Sequence, residues 1–270
     1  MTRLTQSISP ATVDALADGL RHSDRVLACF DFDGTLAPIV DDPNEARPLP
    51  RAERALETLQ SLESVSTAVV TGRAVSDVVD RVGAVDAHAG NHGLEIRRNG
   101  SVAVHPIARR RATLLSRCCD ELSSELGDVP GCTVENKRLT GTVHVRNVRS
   151  EDRPYVEQRT NAVVDRIGDG DLEVNPGKAI YEIGPRVPWT KGDAVGLLES
   201  LHESDPFVLY VGDDVTDETA FRRIEPDGLG IHVGNGADET TAASTTVRSP
   251  REVCHLLEWL ADVGVPRLVG

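Results

Sequence analysis

Two aspartates one residue apart, Asp31 and Asp33, follow the apolar run RVLAC in the stretch FDFDGTLAPIV. In an extended segment alternate side chains share a face, so both carboxylates would point the same way before Gly34 and Thr35 turn the chain. Such a pair repels itself unless a positive charge lies between the carboxylates. The segment therefore predicts a site where oxygen ligands hold a cation.

Polar residues also follow two other apolar runs. The tripeptide TGR directly follows VSTAVV, and the segment DDVTD directly follows FVLYVG. Together they contribute Thr71, Gly72, Arg73, Asp213, Asp214 and Asp217. Ligands of open parallel sheets bind beyond the carboxyl ends of the strands, so these side chains would meet at one edge. Mg²⁺ normally takes one or two carboxylates, waters and a substrate phosphate. The combination predicts a site for Mg²⁺ and a phosphate group.

Each motif has a structural alternative when it is taken alone. Asp-Gly is a common turn dipeptide, the threonine of TGR could cap a helix, and GDDVTDE could begin a helix. Their order at successive strand ends favours the functional interpretation.

The elements that must position these residues alternate between strand and helix. Helical patterns in RAERALETLQSL and SDVVDRV alternate with the strand-like VSTAVVTGR and DAHAGNHGLEI. The same alternation of strand and helix patterns resumes from residue 188. This alternation is typical of a parallel sheet covered by helices on both faces. We therefore expect an α/β core made of residues 1–106 and 185–270.

The middle of the chain has a different pattern. A helix over roughly 107–126 and another over roughly 153–167 are each followed by two strand-like segments. The order of helix, two strands, helix, two strands is typical of a separate α/β unit with an antiparallel sheet. We expect residues 107–184 to be inserted into the core, with crossings near Pro106 and Pro185.

Composition limits the partners and the compartment. The formal charge is −14, from 29 basic and 43 acidic residues, which argues against nucleic acid or an anionic membrane as a partner. The amino terminus has no uninterrupted apolar segment of the export type, and no stretch approaches the ~18 apolar residues of a membrane span. The five cysteines are an odd number, and Cys118 adjoins Cys119. We therefore expect a cytoplasmic protein without disulfides.

Lysine is scarce. The basic residues include only three lysines, Lys137, Lys178 and Lys191. An acidic, lysine-poor surface is expected of a halophilic protein, because concentrated salt screens charge repulsion. The alternative is an arginine-rich codon bias in a GC-rich gene.

Four motifs carry a family resemblance. DFDGT, TGR, TKGDAV and GDDVTDETAF, in this order, resemble the signature motifs of the haloacid dehalogenase superfamily of phosphohydrolases. The phrases GNHGLE, VENK, VHVR, LEVNPGKAIYEIGP and YVGDDVTDE resemble the trehalose-6-phosphate phosphatase family. The resemblance implies a Rossmann-like hydrolase core with an inserted α/β cap. Gly184 and Thr190 depart from the family pattern, which usually has an arginine and an aspartate there.

The resemblance also implies a mechanism. Trehalose 6-phosphate would be hydrolysed with Mg²⁺ through an aspartyl-phosphate on Asp31, while Asp33 would act as general acid and then as general base. Mg²⁺ would be held by Asp31, by the backbone carbonyl of Asp33 and by Asp213. Both carboxylates of the opening motif would then be needed, one as nucleophile and one for proton transfer.

Further roles follow from the same resemblance. Thr71 and Lys191 would hold the phosphoryl oxygens, while Asp214 and Asp217 would support metal-bound water and Lys191. Substrate binding is assigned to Gly72, Arg73, Asn91 and His92 in the core and to Glu135, Lys137, Arg146, Lys178 and Glu182 in the cap. All three lysines then fall within candidate site motifs, the alternative being that they are leftover surface residues.

Two other interpretations stay open. A capped phosphatase of the same superfamily could act on sucrose phosphate, a mannosyl phosphoglycerate or a hexose phosphate. A catalytically silent sugar-phosphate sensor is the second, although a sensor has no need of an acid and base such as Asp33. Functional coupling to a trehalose-6-phosphate synthase is also an open expectation.

Overall fold

A computed structural model describes residues 8–234 and 240–265. These residues form two compact units, one from residues 8–102, 189–234 and 240–265 and the other from residues 103–188. The boundaries differ slightly from the expected crossings near Pro106 and Pro185. Arg186 belongs with the second unit because its N–H donates to the Asp171 carbonyl at 2.9 Å and its carbonyl accepts from Arg111 at 2.8 Å.

The described residues form twelve strands and eight α-helices. The strands are β1 (Val26–Phe30), β2 (Val65–Val70), β3 (Ala87–Gly90), β4 (Glu95–Arg98), β5 (Ser101–Val104), β6 (Thr133–Asn136), β7 (Gly141–His144), β8 (Leu172–Gly177), β9 (Ile180–Pro185), β10 (Phe207–Gly212), β11 (Leu229–Val233) and β12 (Thr245–Val247). The helices are α1 (Pro10–Arg21), α2 (Pro50–Gln60), α3 (Val75–Arg81), α4 (Pro106–Leu126), α5 (Arg153–Gly168), α6 (Lys191–Glu199), α7 (Glu218–Ile224) and α8 (Pro250–Trp259). None of the helices in these ranges is long and apolar enough to cross a bilayer.

The sheet of the first unit has the strand order β12-β11-β10-β1-β2-β3-β4-β5. The strands from β12 to β3 pair in parallel. Alternate residues of β1 face two different apolar clusters, with Phe30 on the side that includes Leu56 of α2 and Cys29 on the side that includes Phe221 of α7. Helices on both faces thus bury β1 completely, which confirms the predicted α/β core.

One edge of this sheet differs from the expected parallel pattern. The segment DAHAGNHGLEI was expected to be a single strand, but β3 and β4 are separate and pair antiparallel. A 3₁₀ turn at Asn91–Gly93 reverses the chain, with φ angles of 49°, 56° and 90°. The left-handed conformation at Asn91 and His92 is uncommon for residues other than glycine, and it is what turns this chain segment around.

The second unit is an α/β layer with its own core. Its sheet has the order β6-β7-β9-β8 with every pairing antiparallel. Val143 and Ile183 of the sheet join Leu122 of α4 and Val163 of α5 in one apolar cluster. The alternate residues of the strands lie on the opposite face of the sheet. The order of helix, two strands, helix, two strands agrees with the sequence expectation.

Candidate active site

The carboxyl ends of β1 and β10 bring acidic residues together. Asp31 follows β1, and its N–H donates to the Val211 carbonyl of β10 at 2.9 Å. Carboxylate oxygens of Asp31, Asp213 and Asp217 all lie within 4.8 Å of one another. The chain turns at Gly34 with φ 82°, where an added Cβ would come within 2.1 Å of the Asp213 carboxylate. Only glycine therefore allows this loop to lie against Asp213.

Lys191 is the buried cation among these carboxylates. It is the first residue of α6, and its Nζ lies 2.7 Å from Asp217 Oδ1 and 3.0 Å from Asp31 Oδ1. Thr190 precedes it as the helix N-cap and forms a capping box with Asp193. A threonine at this departure from the family pattern thus fixes the start of α6 and the position of Lys191.

Asp217 and Asp214 have different surroundings. Asp217 is fully buried; its Oδ1 accepts from Lys191 and from the Tyr210 hydroxyl at 2.6 Å, and its Oδ2 accepts from the Asp214 N–H at 2.9 Å. Asp214 is exposed, and its carboxylate accepts from the Val215 N–H at 2.8 Å. Asp217 is therefore the partner of Lys191, whereas Asp214, which was expected to support the site with it, caps a turn on the surface.

Asp33 is held by an arginine from the neighbouring strand end. Arg73 Nε lies 2.7 Å from Asp33 Oδ2, and Arg73 Nη2 lies 2.8 Å from Asp33 Oδ1. The guanidinium also donates to Asp77 and to the Pro43 carbonyl, and it lies over the Phe32 ring at 5.0 Å. All three nitrogens of Arg73 thus bond to protein oxygens, so substrate binding by Arg73 would require one of these bonds to exchange.

The loop after β2 packs against the turn after β3. Thr71 is buried, and an added Cβ on Gly72 would come within 2.8 Å of the His92 ring. The Asn91 N–H donates to the Arg73 carbonyl at 2.7 Å, and its side-chain amide donates to Glu95 Oε1 at 2.7 Å. The structure thus brings Thr71, Gly72, Asn91 and His92 together beside Arg73.

Burial and crowding shift the ionisation of the site. Burial raises the pKa of Asp31 well above its ordinary value, in spite of Lys191. Burial and the Asp217 charge raise the pKa of Asp213 to about 7. Burial opposes protonation of Lys191, but Asp217 and Asp31 raise its pKa. Three crowded carboxyl groups share one ammonium group, so ionising all of them is costly unless a further cation binds among them.

The Asp213 shift gives a testable pH dependence of stability in EDTA. The pKa of Asp213 is about 7 in the folded protein, above the value of about 3.9 in an unfolded chain. Protonated Asp213 contributes to the free energy of unfolding. This contribution is fully present below pH ~4 and is lost as the pH rises through ~7. We expect Asp213→Asn to raise the melting temperature over the unsubstituted protein by an amount that grows from pH 5 to pH 7.5. A difference that does not change with pH would contradict this assignment.

Polar residues on the second sheet form a row across three strands. Glu135 of β6 lies opposite Thr142 of β7, which lies opposite Glu182 of β9, so the three side chains share a face. Lys137 Nζ lies 3.2 Å from Glu182 Oε1. Glu135 also bonds His144 Nε2 at 3.0 Å. The structure thus brings Glu135, Lys137 and Glu182 together.

Two further predicted cap residues lie toward one end of this sheet. Arg146 follows β7 and Lys178 lies in the β8–β9 turn, and both are exposed. The Val145 N–H donates to the Ala179 carbonyl at 3.0 Å, which joins the two segments. At Gly184, an added Cβ would meet only Thr140 Cγ2, at 3.9 Å. The Cβ of the arginine that the family usually has there would therefore fit without a clash.

Besides Thr142 of the polar row, sequence reasoning missed three polar residues of these sites. Glu95 is buried and bonds both Asn91 and the Val75 N–H, the latter at 2.9 Å. Thr35 Oγ1 donates to Asp213 Oδ1 at 3.3 Å. Tyr210 lies in an apolar strand and is typical of a core residue by its pattern. All three residues stand inside motifs quoted above, Tyr210 at the start of YVGDDVTDE, so their position was the available signal.

Known proteins resemble this chain in sequence and in fold. The trehalose-phosphate phosphatase of Mycobacterium avium (strain 104) is 38% identical over 260 residues, which cover 91% of this chain and 64% of that protein. This chain therefore spans less than two thirds of the length of that relative.

Two solved structures are also similar. A trehalose-6-phosphate phosphatase related protein has a TM-score of 0.79 and 25% identity, covering 89% of this chain and 99% of that one. The C-terminal domain of the C. albicans trehalose-6-phosphate phosphatase has a TM-score of 0.77 and 26% identity, covering 92% of this chain and 96% of that one. The family model for trehalose-phosphatase matches residues 29–251, which are most of this chain. The chain therefore belongs to the trehalose-phosphatase family.

Proposed function

We propose that this protein hydrolyses trehalose 6-phosphate to trehalose and inorganic phosphate. The observation that carries the proposal is the buried group of Asp31, Lys191 and Asp217 beside Asp213, at the strand ends of a chain that belongs to the trehalose-phosphatase family. A nucleophilic carboxylate next to a buried ammonium group suits phosphoryl transfer, because the attacking anion and the phosphate must both be neutralised.

Asp31 is the nucleophile of the proposed reaction. One of its carboxylate oxygens attacks phosphorus, the bond from phosphorus to the sugar oxygen breaks, and an aspartyl-phosphate forms. Asp33 gives its proton to the departing sugar oxygen and then takes a proton from the water that attacks the aspartyl-phosphate. Hydrolysis releases phosphate, restores the Asp31 carboxylate and returns Asp33 to its protonated form, with Lys191 and Thr71 holding the phosphoryl oxygens.

Asp33 must leave Arg73 to carry out this proton transfer. Both oxygens of Asp33 accept bonds from Arg73, so in this arrangement the carboxylate is paired with the guanidinium and not with a sugar oxygen or a water. We infer that substrate binding exchanges at least one of the two bonds from Arg73 to Asp33. This exchange would free Arg73 to bind a substrate oxygen, which reconciles its position with its predicted role.

The residues present fit Mg²⁺. Asp31, Asp213 and the backbone carbonyl of Asp33 would hold it, since Asp217 already accepts three hydrogen bonds. When bound, the ion would neutralise charge between the nucleophile and the phosphoryl group. Asp217 then supports the site through Lys191.

We assign the sugar to the polar face of the second sheet. Glu135, Lys137 and Glu182 offer the carboxylate and ammonium groups that best fix sugar hydroxyls, and Arg146 and Lys178 add positive charge. A simple hexose phosphate would use fewer of these groups than a disaccharide phosphate. This favours trehalose 6-phosphate over a hexose phosphate, and the buried acidic site with Lys191 argues against a silent sensor.

Phosphate release from a panel of sugar phosphates, with and without Mg²⁺, tests the proposed function. The panel contains trehalose 6-phosphate, sucrose phosphate, mannosyl phosphoglycerate and glucose 6-phosphate. We expect Mg²⁺-dependent release with a preference for trehalose 6-phosphate. Equal activity on simple hexose phosphates would contradict the trehalose assignment, and no release from any of them would favour the sensor.

Glu182→Ala is expected to lower kcat/KM for trehalose 6-phosphate by roughly tenfold to a hundredfold, because sugar hydroxyls and Lys137 would lose a charged partner. Lys178→Ala should act in the same direction. Hydrolysis of p-nitrophenyl phosphate, which has no sugar, should change by less than about threefold. Kinetics with both substrates measure the difference.

Glu157→Ala is the matched control for Glu182→Ala. Glu157 is an exposed glutamate of α5, on the side of the sheet opposite the polar row, and should leave both activities near their original values. If Glu182→Ala lowers both activities by one common factor, the sugar-binding assignment is wrong.

The remaining expectations concern the setting of the protein. All five cysteines are free in the structure, and a cytoplasmic location stays a prediction from the sequence. A synthase that makes trehalose 6-phosphate is the proposed functional partner, since it would supply the substrate. Salt tolerance stays a prediction from the lysine-poor, acidic composition.

A further inference from the structure

Tyr210 is a buried tyrosine that the proposed mechanism does not use. It lies in β10 opposite Cys29 of β1 and is fully buried. Its ring packs edge-on against Phe221, with centroids 5.6 Å apart and an interplanar angle of 80°. Its hydroxyl donates to Asp217 Oδ1 at 2.6 Å. Packing therefore fixes a neutral donor against the carboxylate that holds Lys191.

The hydroxyl and the lysine share one oxygen. Asp217 Oδ1 accepts from Tyr210 at 2.6 Å and from Lys191 Nζ at 2.7 Å, while Lys191 also reaches Asp31 at 3.0 Å. A buried carboxylate needs hydrogen-bond donors. When one of its donors is removed, it attracts the remaining donors more strongly. Without the Tyr210 hydroxyl, Asp217 would draw Lys191 more strongly away from Asp31.

A neutral donor suits this position for a charge reason. Asp31, Asp213 and Asp217 place three carboxylates beside the single ammonium of Lys191. Burial and Asp217 raise the pKa of Tyr210 well above its ordinary value, so the phenol keeps its proton. It therefore satisfies Asp217 without adding a positive charge that would compete with a metal ion.

We propose that Tyr210 is a positioning residue for phosphoryl transfer: by donating to Asp217, it leaves Lys191 shared between Asp217 and the nucleophile Asp31. The inference rests on the proposed function for its reaction, although the hydrogen bond can be tested without any substrate. It predicts that Tyr210 acts through Asp217 and not through packing alone.

A double-mutant cycle with Tyr210→Phe, Asp217→Ala and their combination tests the proposal. Tyr210→Phe keeps the ring and is expected to lower kcat for p-nitrophenyl phosphate by roughly tenfold, with KM changing by less than about threefold. In the Asp217→Ala background it should change kcat by less than about twofold, because the partner is gone. Tyr181→Phe is the control: it removes a phenol 3.4 Å from the exposed Glu157 and should leave kcat unchanged.

A substrate-independent arm repeats the cycle with urea unfolding. We expect Tyr210→Phe to lower the unfolding free energy in the native background and to change it much less when Asp217 is absent. Asp217→Leu, which is similar in shape and has no hydrogen-bond acceptor, replaces Asp217→Ala in both arms if the alanine variant does not fold. Losses of kcat that multiply in the double variant, or an unfolding cycle without coupling, would overturn the proposal.

The two arms separate this proposal from the proposed function. A protein that hydrolyses p-nitrophenyl phosphate but not trehalose 6-phosphate would refute the sugar assignment, while the Tyr210 result would still be read from p-nitrophenyl phosphate. A protein inactive on both would refute the phosphatase assignment and with it the positioning role of Tyr210 in phosphoryl transfer. The unfolding cycle would then decide only whether the bond to Asp217 stabilises the fold.

Discussion

Asp31→Asn is expected to reduce turnover of trehalose 6-phosphate by about 10⁴-fold or more while the protein stays folded. An asparagine amide has nearly the shape of the carboxylate but lacks the charge and the nucleophilic oxygen. The buried Lys191 would also lose one of its two anionic partners, and Asp217 would still hold it at 2.7 Å. Circular dichroism and steady-state kinetics on the same preparation separate loss of chemistry from loss of fold.

Acid-quench labelling locates the phosphoryl group. The unsubstituted protein is mixed for a short time with ³²P-labelled p-nitrophenyl phosphate and quenched in acid. Peptide mapping should then find the label on Asp31. Asp33→Asn is the informative control, because p-nitrophenol leaves without a proton from Asp33 while breakdown of the aspartyl-phosphate still needs the base. That variant should therefore accumulate label. Label on a serine, threonine or histidine would contradict the mechanism.

The position of the site follows from the sequence because parallel strands end at one edge. The apolar runs before Asp31, Thr71 and Asp213 locate three strand ends, and the structure places those strands as neighbours in the order β10-β1-β2. The grouping of carboxylates could thus be expected from strand and helix alternation alone. Which carboxylate touches which partner could not be expected, because that depends on side-chain direction.

Asp214 and Asp217 illustrate this limit. Both stand in the motif GDDVTDE, and spacing gives no reason to separate them. The 3₁₀ turn at Val215–Asp217 directs Asp217 inward to Lys191 and leaves Asp214 on the surface. The pair of Arg73 with Asp33 spans 40 residues of sequence, so no local pattern indicates it. Contacts of this kind are set by tertiary packing.

In the second unit, too, the sequence predicts the faces of the strands but not the contacts between side chains. Alternation along the strands predicts which face is apolar, but the pairing of Glu135, Thr142 and Glu182 depends on strand register. Register is fixed here by turns and by the apolar side chains beneath, such as Val143 and Ile183. The sequence named two members of the polar row through family resemblance and missed Thr142, whose type alone carries no signal.

Asp213→Asn is expected to lower Mg²⁺-dependent turnover by more than about 100-fold, because the site would lose a charged metal ligand. The amide keeps the size of the side chain and the contact with Gly34, so the loop after β1 should stay in place. Excess Mg²⁺ should not restore kcat, since the missing carboxylate would also be needed to place the ion beside Asp31. Activity measured against Mg²⁺ concentration gives both the apparent affinity and the limiting rate.

Asp214→Asn is the matched control for Asp213→Asn, since it removes the same charge from the adjacent residue. Asp214 is exposed and caps a turn, and asparagine caps about as well as aspartate. We therefore expect a change of less than about threefold in kcat and in apparent Mg²⁺ affinity, as for an ordinary surface substitution. Equal losses in the two variants would mean that the charge of the whole motif, and not a ligand at Asp213, governs metal binding. Recovery of Asp213→Asn at high Mg²⁺ would likewise contradict its assignment as a direct ligand.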